Sequence, residues 1–486
     1  MGLDVLVLVM YAAGMLLLGW FGMRRSKTQE DFLVAGRNLG PAMYMGTMAA
    51  TVLGGASTIG TVRLGYVYGI SGFWLCAAIG VGIIILNLAL AKPLVKLRIF
   101  TVTQVLERRY NPITRQVSAV IMFAYAVMIG VVSTLGISTV MQVFFDLPFW
   151  LAVLCSGGLV VAYSTVGGMW ALTFTDMVQF IIKTIGLMLL LLPIALHRTG
   201  GWDELVAKLP GTALDFTAIG YDTVITYFLI YTLGVLIGQD IWQRVFTARN
   251  PNIAKYAGSV AGVYCILYGL AAALIGMCAR VLLPDLDDPN NAFAAIIQTA
   301  LPDGIRSLVI TAAVAAMMST ASAGLLAASS TLTEDLLPIV GRNHAPGLFA
   351  NRVCTLVSGA LVLIVALAVD DVLSALTLAY NLLVGGMLIP LIGAIFWRRA
   401  TAAGATVSMV LGCTTVVAFM LKDGLDANTP IYYSLAIGLL SYVAVSLFSK
   451  DAVSTPALFD EVASSPAPEG AALSMSNMSS PGVEQR

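Results

Sequence analysis

Long runs of apolar residues, each separated from the next by a short polar loop, dominate the pattern along this chain. A run of about 20 apolar residues, folded as an α-helix, spans roughly 30 Å, the thickness of the hydrocarbon core of a bilayer. The pattern therefore predicts an all-α polytopic membrane protein with 13 transmembrane helices. The predicted spans, numbered 1 to 13 in chain order, cover residues 3–22, 42–66, 72–97, 117–144, 149–169, 174–196, 223–243, 255–282, 304–335, 353–369, 372–397, 401–421 and 428–448.

Composition and charge support this assignment. Hydrophobic residues make up 59% of the chain and charged residues only 11%, against about 25% charged residues in an average soluble domain. Of the 26 Lys and Arg residues, nineteen fall in loops on one side of the predicted membrane, six on the other, and Lys183 inside a span. Because the side rich in Lys and Arg faces the cytoplasm, we expect a plasma-membrane protein with its N-terminus outside and its C-terminus inside.

The remaining sequence features exclude several functions. The net charge is zero, so no nucleic-acid partner is expected. The six cysteines are scattered singly and form no CxxC pair, which is typical of small buried residues. His197 and His344 are predicted in loops on opposite sides, and no nucleophile or metal constellation is apparent, so we expect no enzyme. Residues 451–486 are rich in Ser, Pro, Ala and Glu, which predicts a disordered cytoplasmic tail after a transmembrane domain over residues 1–450.

Two predicted spans carry paired glycines or hydroxyls at mid-membrane depth. Span 2 contains TVLGGASTIGT at 51–61, and span 7 contains GVLIGQD at 234–240. Such residues weaken a helix, and irregular backbone is tolerated in a membrane only where it lines an enclosed cavity. The two segments lie five spans apart, as a five-plus-five inverted repeat requires, and broken helices at such positions are typical of secondary transporters. Close packing of small residues between helices would also explain the glycines.

Span 9 carries a polar face that suits a cation. Ala316, Ser319 and Thr320 are spaced i, i+3 and i+4, and therefore lie on one face of the helix. Two hydroxyls and a carbonyl from this face can meet carbonyls freed by the break in span 2. Neutral oxygens of this kind are ligands that a hard cation such as Na⁺ prefers. The alternative is that the hydroxyls bond back to the preceding turn of their own helix.

Several motifs, in order along the chain, together resemble the sodium/solute symporter family. They are DFLVAGR at 31–37, YSTVGGMWALTFTDMVQ at 163–179, WQR at 242–244, MST at 318–320, SS at 329–330 and ED at 334–335. The resemblance covers about residues 1–420 and implies a LeuT-type inverted-repeat fold, with its core over about 42–397. It also implies a Na⁺-coupled secondary active symporter that imports a small organic solute by alternating access.

The resemblance implies ion sites, residue by residue. The implied Na⁺ ligands are the backbone carbonyls of Ala50, Leu53 and Ala316 and the hydroxyls of Ser319 and Thr320. Asp176 and Ser322 match a second Na⁺ site or release path found in some relatives, although Ala323 stands where those relatives often carry Ser. Asp176 can also be a helix-start carboxylate or the partner of a loop arginine.

The implied substrate pocket lies between the breaks in spans 2 and 7 and spans 4 and 11. Its candidate residues are Thr51, Gly54, Ser57, Thr58, Tyr231, Gly234, Gln239, Tyr380 and Asn381. Spans 4 and 11 contain no Lys or Arg, which disfavours a bulky acid that needs a bidentate clamp. The tyrosines suit a choline-like amine through cation–π contacts, or they serve core packing. An amino acid such as proline, a small monocarboxylate and an amine all remain open.

Three alternative functions compete with Na⁺-coupled symport. A proton-coupled symporter of the same fold would share every helical feature described above. A channel would explain the spans but not the paired broken helices. A membrane sensor would need a catalytic domain, for which the tail of 36 residues leaves no room.

Overall fold

The computed structural model describes residues 2–340, 347–369 and 371–449. The predicted tail over 451–486 lies outside the described residues, so both its disorder and the division at residue 450 stay predictions. The described helices are α1 (Gly2–Arg25), α2 (Gln29–Val34), α3 (Pro41–Val52), α4 (Thr61–Tyr68), α5 (Trp74–Ile85), α6 (Ala91–Leu97), α7 (Thr103–Arg109), α8 (Pro112–Phe145), α9 (Phe149–Lys183), α10 (Leu192–Thr199), α11 (Trp202–Lys208), α12 (Tyr221–Tyr227), α13 (Leu233–Val235), α14 (Gln239–Val245), α15 (Pro251–Leu282), α16 (Ala292–Ala300), α17 (Ile305–Thr331), α18 (Leu337–Val340), α19 (Leu348–Ala366), α20 (Val372–Phe396), α21 (Ala402–Asp423) and α22 (Thr429–Phe448).

The lengths of the helical segments match a protein that crosses a membrane many times. Ten segments of the described ranges are long and apolar enough to cross a bilayer, and the bent pair Tyr221–Val235 and Gln239–Val245 makes an eleventh. Two of the ten, Ala56–Leu97 and Phe149–Thr199, contain 42 and 51 residues, which corresponds to about 63 and 77 Å of helix. Each is long enough for two crossings. The all-α polytopic fold is confirmed, whereas the count of 13 spans stays a prediction.

A glycine inside α9 marks the junction between predicted spans 5 and 6. Gly168 has φ 56° and ψ −146°, a conformation that other residues rarely adopt. A Cβ at this position would also lie 2.6 Å from the carbonyl oxygen of Phe32. The chain is helical over 169–183, so the predicted loop at 170–173 is wrong. The interruption lies at Gly168, within the motif at 163–179.

Both predicted helix breaks are present. The backbone leaves the helix after Val52, where Leu53 has φ −100° and ψ 66°, and resumes in the π-helical turn Ala56–Gly60 before α4. In the second break α13 ends at Val235, and Gly238, with ψ 132°, precedes α14. The helices on either side of this second break are bent by 49°. Each break leaves carbonyl or N–H groups without partners in their own helix.

Helix α17 lies at the centre of the bundle. Every residue from Val309 to Thr331 is buried, and the helix packs against α8, α9, α19 and α1. By contrast, only about a fifth of the apolar window of α1 is buried, as expected for a helix that faces lipid. The hydroxyl face of α17 is therefore held inside protein, close to the first break.

Candidate functional site

The hydroxyl face of α17 meets the C-terminal turn of α3. Ser319 Oγ donates to the carbonyl oxygen of Ala50 at 2.8 Å and lies 2.9 Å from the carbonyl oxygen of Ala316. Thr320 Oγ1 lies 3.5 Å from the same Ala50 oxygen. Leu53 lies at the break itself. The Ser319 and Thr320 hydroxyls thus approach the Ala50 carbonyl oxygen, and the Ala316 carbonyl oxygen contacts Ser319, so four of the five implied Na⁺ ligands lie together.

This oxygen set fits a monovalent cation. Ala50 lies in the last turn of α3, where carbonyl groups lack an intrahelical partner because the helix stops at Val52. A hydroxyl can rotate from donating a hydrogen bond to presenting its lone pairs, so Ser319 and Thr320 can turn toward a cation. The ligands are neutral and buried, so they would coordinate a single positive charge through the dipoles of their carbonyl and hydroxyl oxygens.

A lysine ammonium group also contacts this carbonyl. Lys183, at the end of α9, is fully buried. Its Nζ donates to the carbonyl oxygens of Ala49 and Ala50 at 3.4 and 3.3 Å and lies 5.9 Å from the ring centre of Tyr268. Lys183 lies inside a predicted span, but it is not among the ligands predicted for the cation site. An ionisable residue in a span was the available signal.

Asp176 and Ser322, the two residues of the implied second ion site, each bond to other partners in the structure. Asp176 Oδ2 accepts a hydrogen bond from Thr47 Oγ1 at 2.5 Å and lies 3.5 Å from Arg244 Nη2. Ser322 Oγ donates to the carbonyl oxygen of Ser319 at 3.0 Å. Asp176 is therefore the partner of an arginine, although Arg244 is fully buried in α14 rather than in a loop.

A small cavity of about 20 Å³ lies beside the candidate cation site, which is room for about one water molecule. A Cβ on Gly54 would come within 2.5 Å of Thr320 Oγ1, so glycine is required for the close approach of the break to α17. The cavity is lined by the polar residues Thr51, Ser57, Ser133, Asp240 and Thr320 and by Tyr380. Thr320 therefore belongs to both the cavity and the cation site.

Asp240 is the charged group of this cavity, and it is not among the substrate residues predicted from the sequence. It is 2% exposed and follows the second break by two residues. Its Oδ1 accepts a hydrogen bond from the Tyr125 hydroxyl at 3.0 Å. Arg244, one turn later, contacts the backbone carbonyl of Asp240 and pairs with Asp176 instead. Among the described residues, Asp240 has no ion-pair partner within 4.0 Å.

Three predicted substrate residues have side chains that bond elsewhere. The Thr58 hydroxyl lies 2.8 Å from the Tyr268 hydroxyl. The Gln239 amide bonds the backbone of Phe100 and Val102 at 2.9 Å. Asn381 donates to the Thr377 carbonyl oxygen at 2.9 Å. The structure therefore does not bring these side chains to the small cavity.

Two tyrosines separate the small cavity from a larger one. The rings of Tyr231 and Tyr380 meet edge to face with centres 5.4 Å apart, and Gly234 allows this because a Cβ there would lie 2.2 Å from the Tyr380 ring. Tyr380 lines the small cavity, whereas Tyr231 lines a cavity of about 240 Å³ that also contains Arg63 and Asp426.

Polar contacts close the other side of the bundle. Gln243 Nε2 donates to the Leu33 carbonyl oxygen and to Ser330 Oγ, both at 2.8 Å. Arg115 binds Asp335 at 2.8 Å. Four of these residues come from the separate DFLVAGR, WQR, SS and ED motifs, so distant motifs of the sequence meet at one end of the bundle.

Comparisons with known proteins agree with this arrangement. A sequence model of the Sodium:solute symporter family matches residues 32–412. The high-affinity proline transporter PutP of Bacillus subtilis (strain 168) is 26% identical over 464 residues, which cover 90% of this chain and 96% of that protein. The sodium/pantothenate symporter of Escherichia coli (strain K12) is 26% identical over 481 residues, which cover 91% of this chain and 96% of that protein.

A solved structure shows the same fold. A Na⁺-coupled sialic acid symporter, in a substrate-bound outward-open state, matches with a TM-score of 0.81 at 18% identity, covering 93% of this chain and 99% of that chain. The fold is therefore of the LeuT type, as the motifs implied. Since the family model matches more than half of the chain, this protein belongs to the sodium:solute symporter family and is a Na⁺-coupled membrane symporter of a small solute, not an enzyme.

Proposed function

We propose that the protein imports a small solute with an ammonium group, together with Na⁺, across the plasma membrane. The observation that carries this proposal is the Asp240 carboxylate, which lines the small cavity between the broken helices. The guanidinium of Arg244 acts on Asp240 from beyond ion-pair distance and pairs with Asp176. An ammonium group in the cavity would give this buried carboxylate a direct partner. A small monocarboxylate would instead be repelled, so an amino acid such as proline or a choline-like amine is favoured.

Na⁺ is proposed to bind the oxygens of Ala50, Leu53, Ala316, Ser319 and Thr320. Thr320 supports coupling, because its side chain belongs to both the ion site and the solute cavity. A zwitterionic amino acid would place its ammonium group at Asp240 and its carboxylate toward the bound Na⁺. Asp176 already pairs with Arg244, so we propose that Asp176 and Ser322 line the release path rather than a second Na⁺ site.

The two closed ends of the bundle support alternating access. The Tyr231 and Tyr380 rings stand between the small cavity and the larger cavity, and the Gln243 and Arg115 contacts close the opposite end. We propose that the larger cavity faces outside, because the loops of that side carry fewer Lys and Arg residues. Solute binding requires the tyrosines to move, since the small cavity holds only about one water molecule.

Uptake by purified protein in lipid vesicles tests this proposal. Radiolabelled proline, choline and propionate are offered with an inward Na⁺ gradient, or with K⁺ in place of Na⁺ at constant pH. We expect saturable, Na⁺-dependent uptake of an ammonium-bearing solute, which Asp240→Asn abolishes. Asp426→Asn is the matched control, because Asp426 lines the larger cavity instead. Uptake of propionate alone, or an unchanged Asp240→Asn variant, would refute the assignment of the solute class.

A further inference from the structure

The position of Lys183 carries an inference about the ion site beyond the proposed function. Its ammonium group is fully buried and donates to the carbonyl oxygens of Ala49 and Ala50. The second of these is the oxygen that Ser319 and Thr320 also approach. A positively charged group of this chain therefore contacts an oxygen that the proposed site offers to Na⁺.

The surroundings of Lys183 contain little to neutralise its charge. Among the described residues it forms no ion pair within 4.0 Å. The Tyr268 ring centre lies 5.9 Å from Nζ, at the outer limit of a cation–π contact, and supplies no carboxylate. Asp176 is two helical turns earlier and is already paired with Arg244. The backbone carbonyls of the α3 terminus are thus the main polar partners of the ammonium group.

We propose that Lys183 is a tethered cation of the Na⁺ site, which occupies the carbonyls of Ala49 and Ala50 until Na⁺ displaces it. This inference rests on the proposed location of the Na⁺ site. A carbonyl oxygen has two lone pairs, and the one of Ala50 already accepts from Ser319 and Lys183. Na⁺ and the ammonium group repel each other at such short range inside protein, so binding of Na⁺ to this oxygen displaces the ammonium group from it.

The tethered cation has two consequences for the transport cycle. It weakens Na⁺ binding, because the ion must overcome the ammonium contacts, and weaker binding favours release into the cytoplasm. It also supplies the carbonyls with a donor after Na⁺ has left. The empty carrier then returns without unsatisfied carbonyl groups in a dry interior, which are unfavourable there.

Direct Na⁺ binding to the purified protein in detergent, measured with radiolabelled Na⁺ and without solute, tests the inference. Lys183→Met and Lys183→Gln remove the charge, and Lys183→Arg keeps it. We expect the two neutral variants to bind Na⁺ at least tenfold more tightly, equivalent to about 1.4 kcal/mol, and the Arg variant not to gain affinity. In vesicles, the neutral variants should also reach half-maximal uptake at lower Na⁺ concentration and turn over more slowly.

Two outcomes separate this inference from the Na⁺ site on which it rests. If Ser319→Ala leaves Na⁺ binding of the otherwise native protein unchanged, the proposed Na⁺ site is wrong. If Ser319→Ala weakens binding, but folded neutral Lys183 variants bind Na⁺ no more tightly than the native protein, only the tethered-cation inference is overturned. Melting temperatures in detergent identify which variants are folded, and Lys183→Gln replaces Lys183→Met if the latter is unstable.

Discussion

Replacing Ser319 by alanine is the most direct perturbation of the proposed Na⁺ site. Ser319 Oγ lies 2.8 and 2.9 Å from the carbonyl oxygens of Ala50 and Ala316, so its loss removes the side-chain oxygen at the centre of the cluster. A hydrogen-bonding group that contacts a charge contributes about 1.5–3 kcal/mol. The concentration of Na⁺ for half-maximal binding should therefore rise roughly 10- to 150-fold. Alanine favours helix more than serine does, by up to about 0.5 kcal/mol, so α17 should remain folded.

The assay for Ser319→Ala is Na⁺-dependent uptake in vesicles, together with direct binding of radiolabelled Na⁺. Ser329→Ala is the matched control, because it removes a buried hydroxyl of the same helix about 15 Å further along. Ser329 bonds Asn351 and Thr355 rather than the α3 terminus. We expect the Na⁺ dependence of the control to match the native protein. The same Na⁺ dependence in both variants would show that the ion does not bind this face of α17.

Three further predictions concern packing, the buried ion pair and the tail. Gly54→Ala should abolish uptake in inserted protein, because its Cβ would lie 2.5 Å from α17, whereas Gly60→Ala, with 3.6 Å to its nearest neighbour, should retain uptake. Asp176→Asn should leave the buried Arg244 without its partner, which lowers the free energy of unfolding by about 3–5 kcal/mol and so lowers the melting temperature. Adding Arg244→Gln should restore part of the lost stability. An unchanged melting temperature in the single variant contradicts this. Removing residues 451–486 should leave uptake per inserted molecule intact, because that composition cannot form a packed core, and lost uptake would disprove it.

Much of the fold follows from patterns that are local in the sequence. Apolar runs of bilayer length predict the helices, since no other backbone structure satisfies its own polar groups within one segment in lipid. The spacing of Ala316, Ser319 and Thr320 predicts a shared face, because a helix repeats every 3.6 residues. Gly54 and Gly234 mark the two broken spans, because glycine weakens a helix and permits close approach. The predicted boundary between spans 5 and 6 lies a few residues after the actual interruption at Gly168, since several neighbouring residues are equally apolar.

The sequence by itself determined the helices, their passage through a membrane and the two breaks. Only the tertiary structure decided which charged side chains lie beside the two breaks. The contact of Lys183 with Ala50 joins residues 133 positions apart, and that of Asp240 with Tyr125 joins residues 115 apart. Helical periodicity states which residues share a face, but it does not state which distant helix packs against that face. That choice depends on the fit of side chains throughout the bundle, and no spacing within one segment records it.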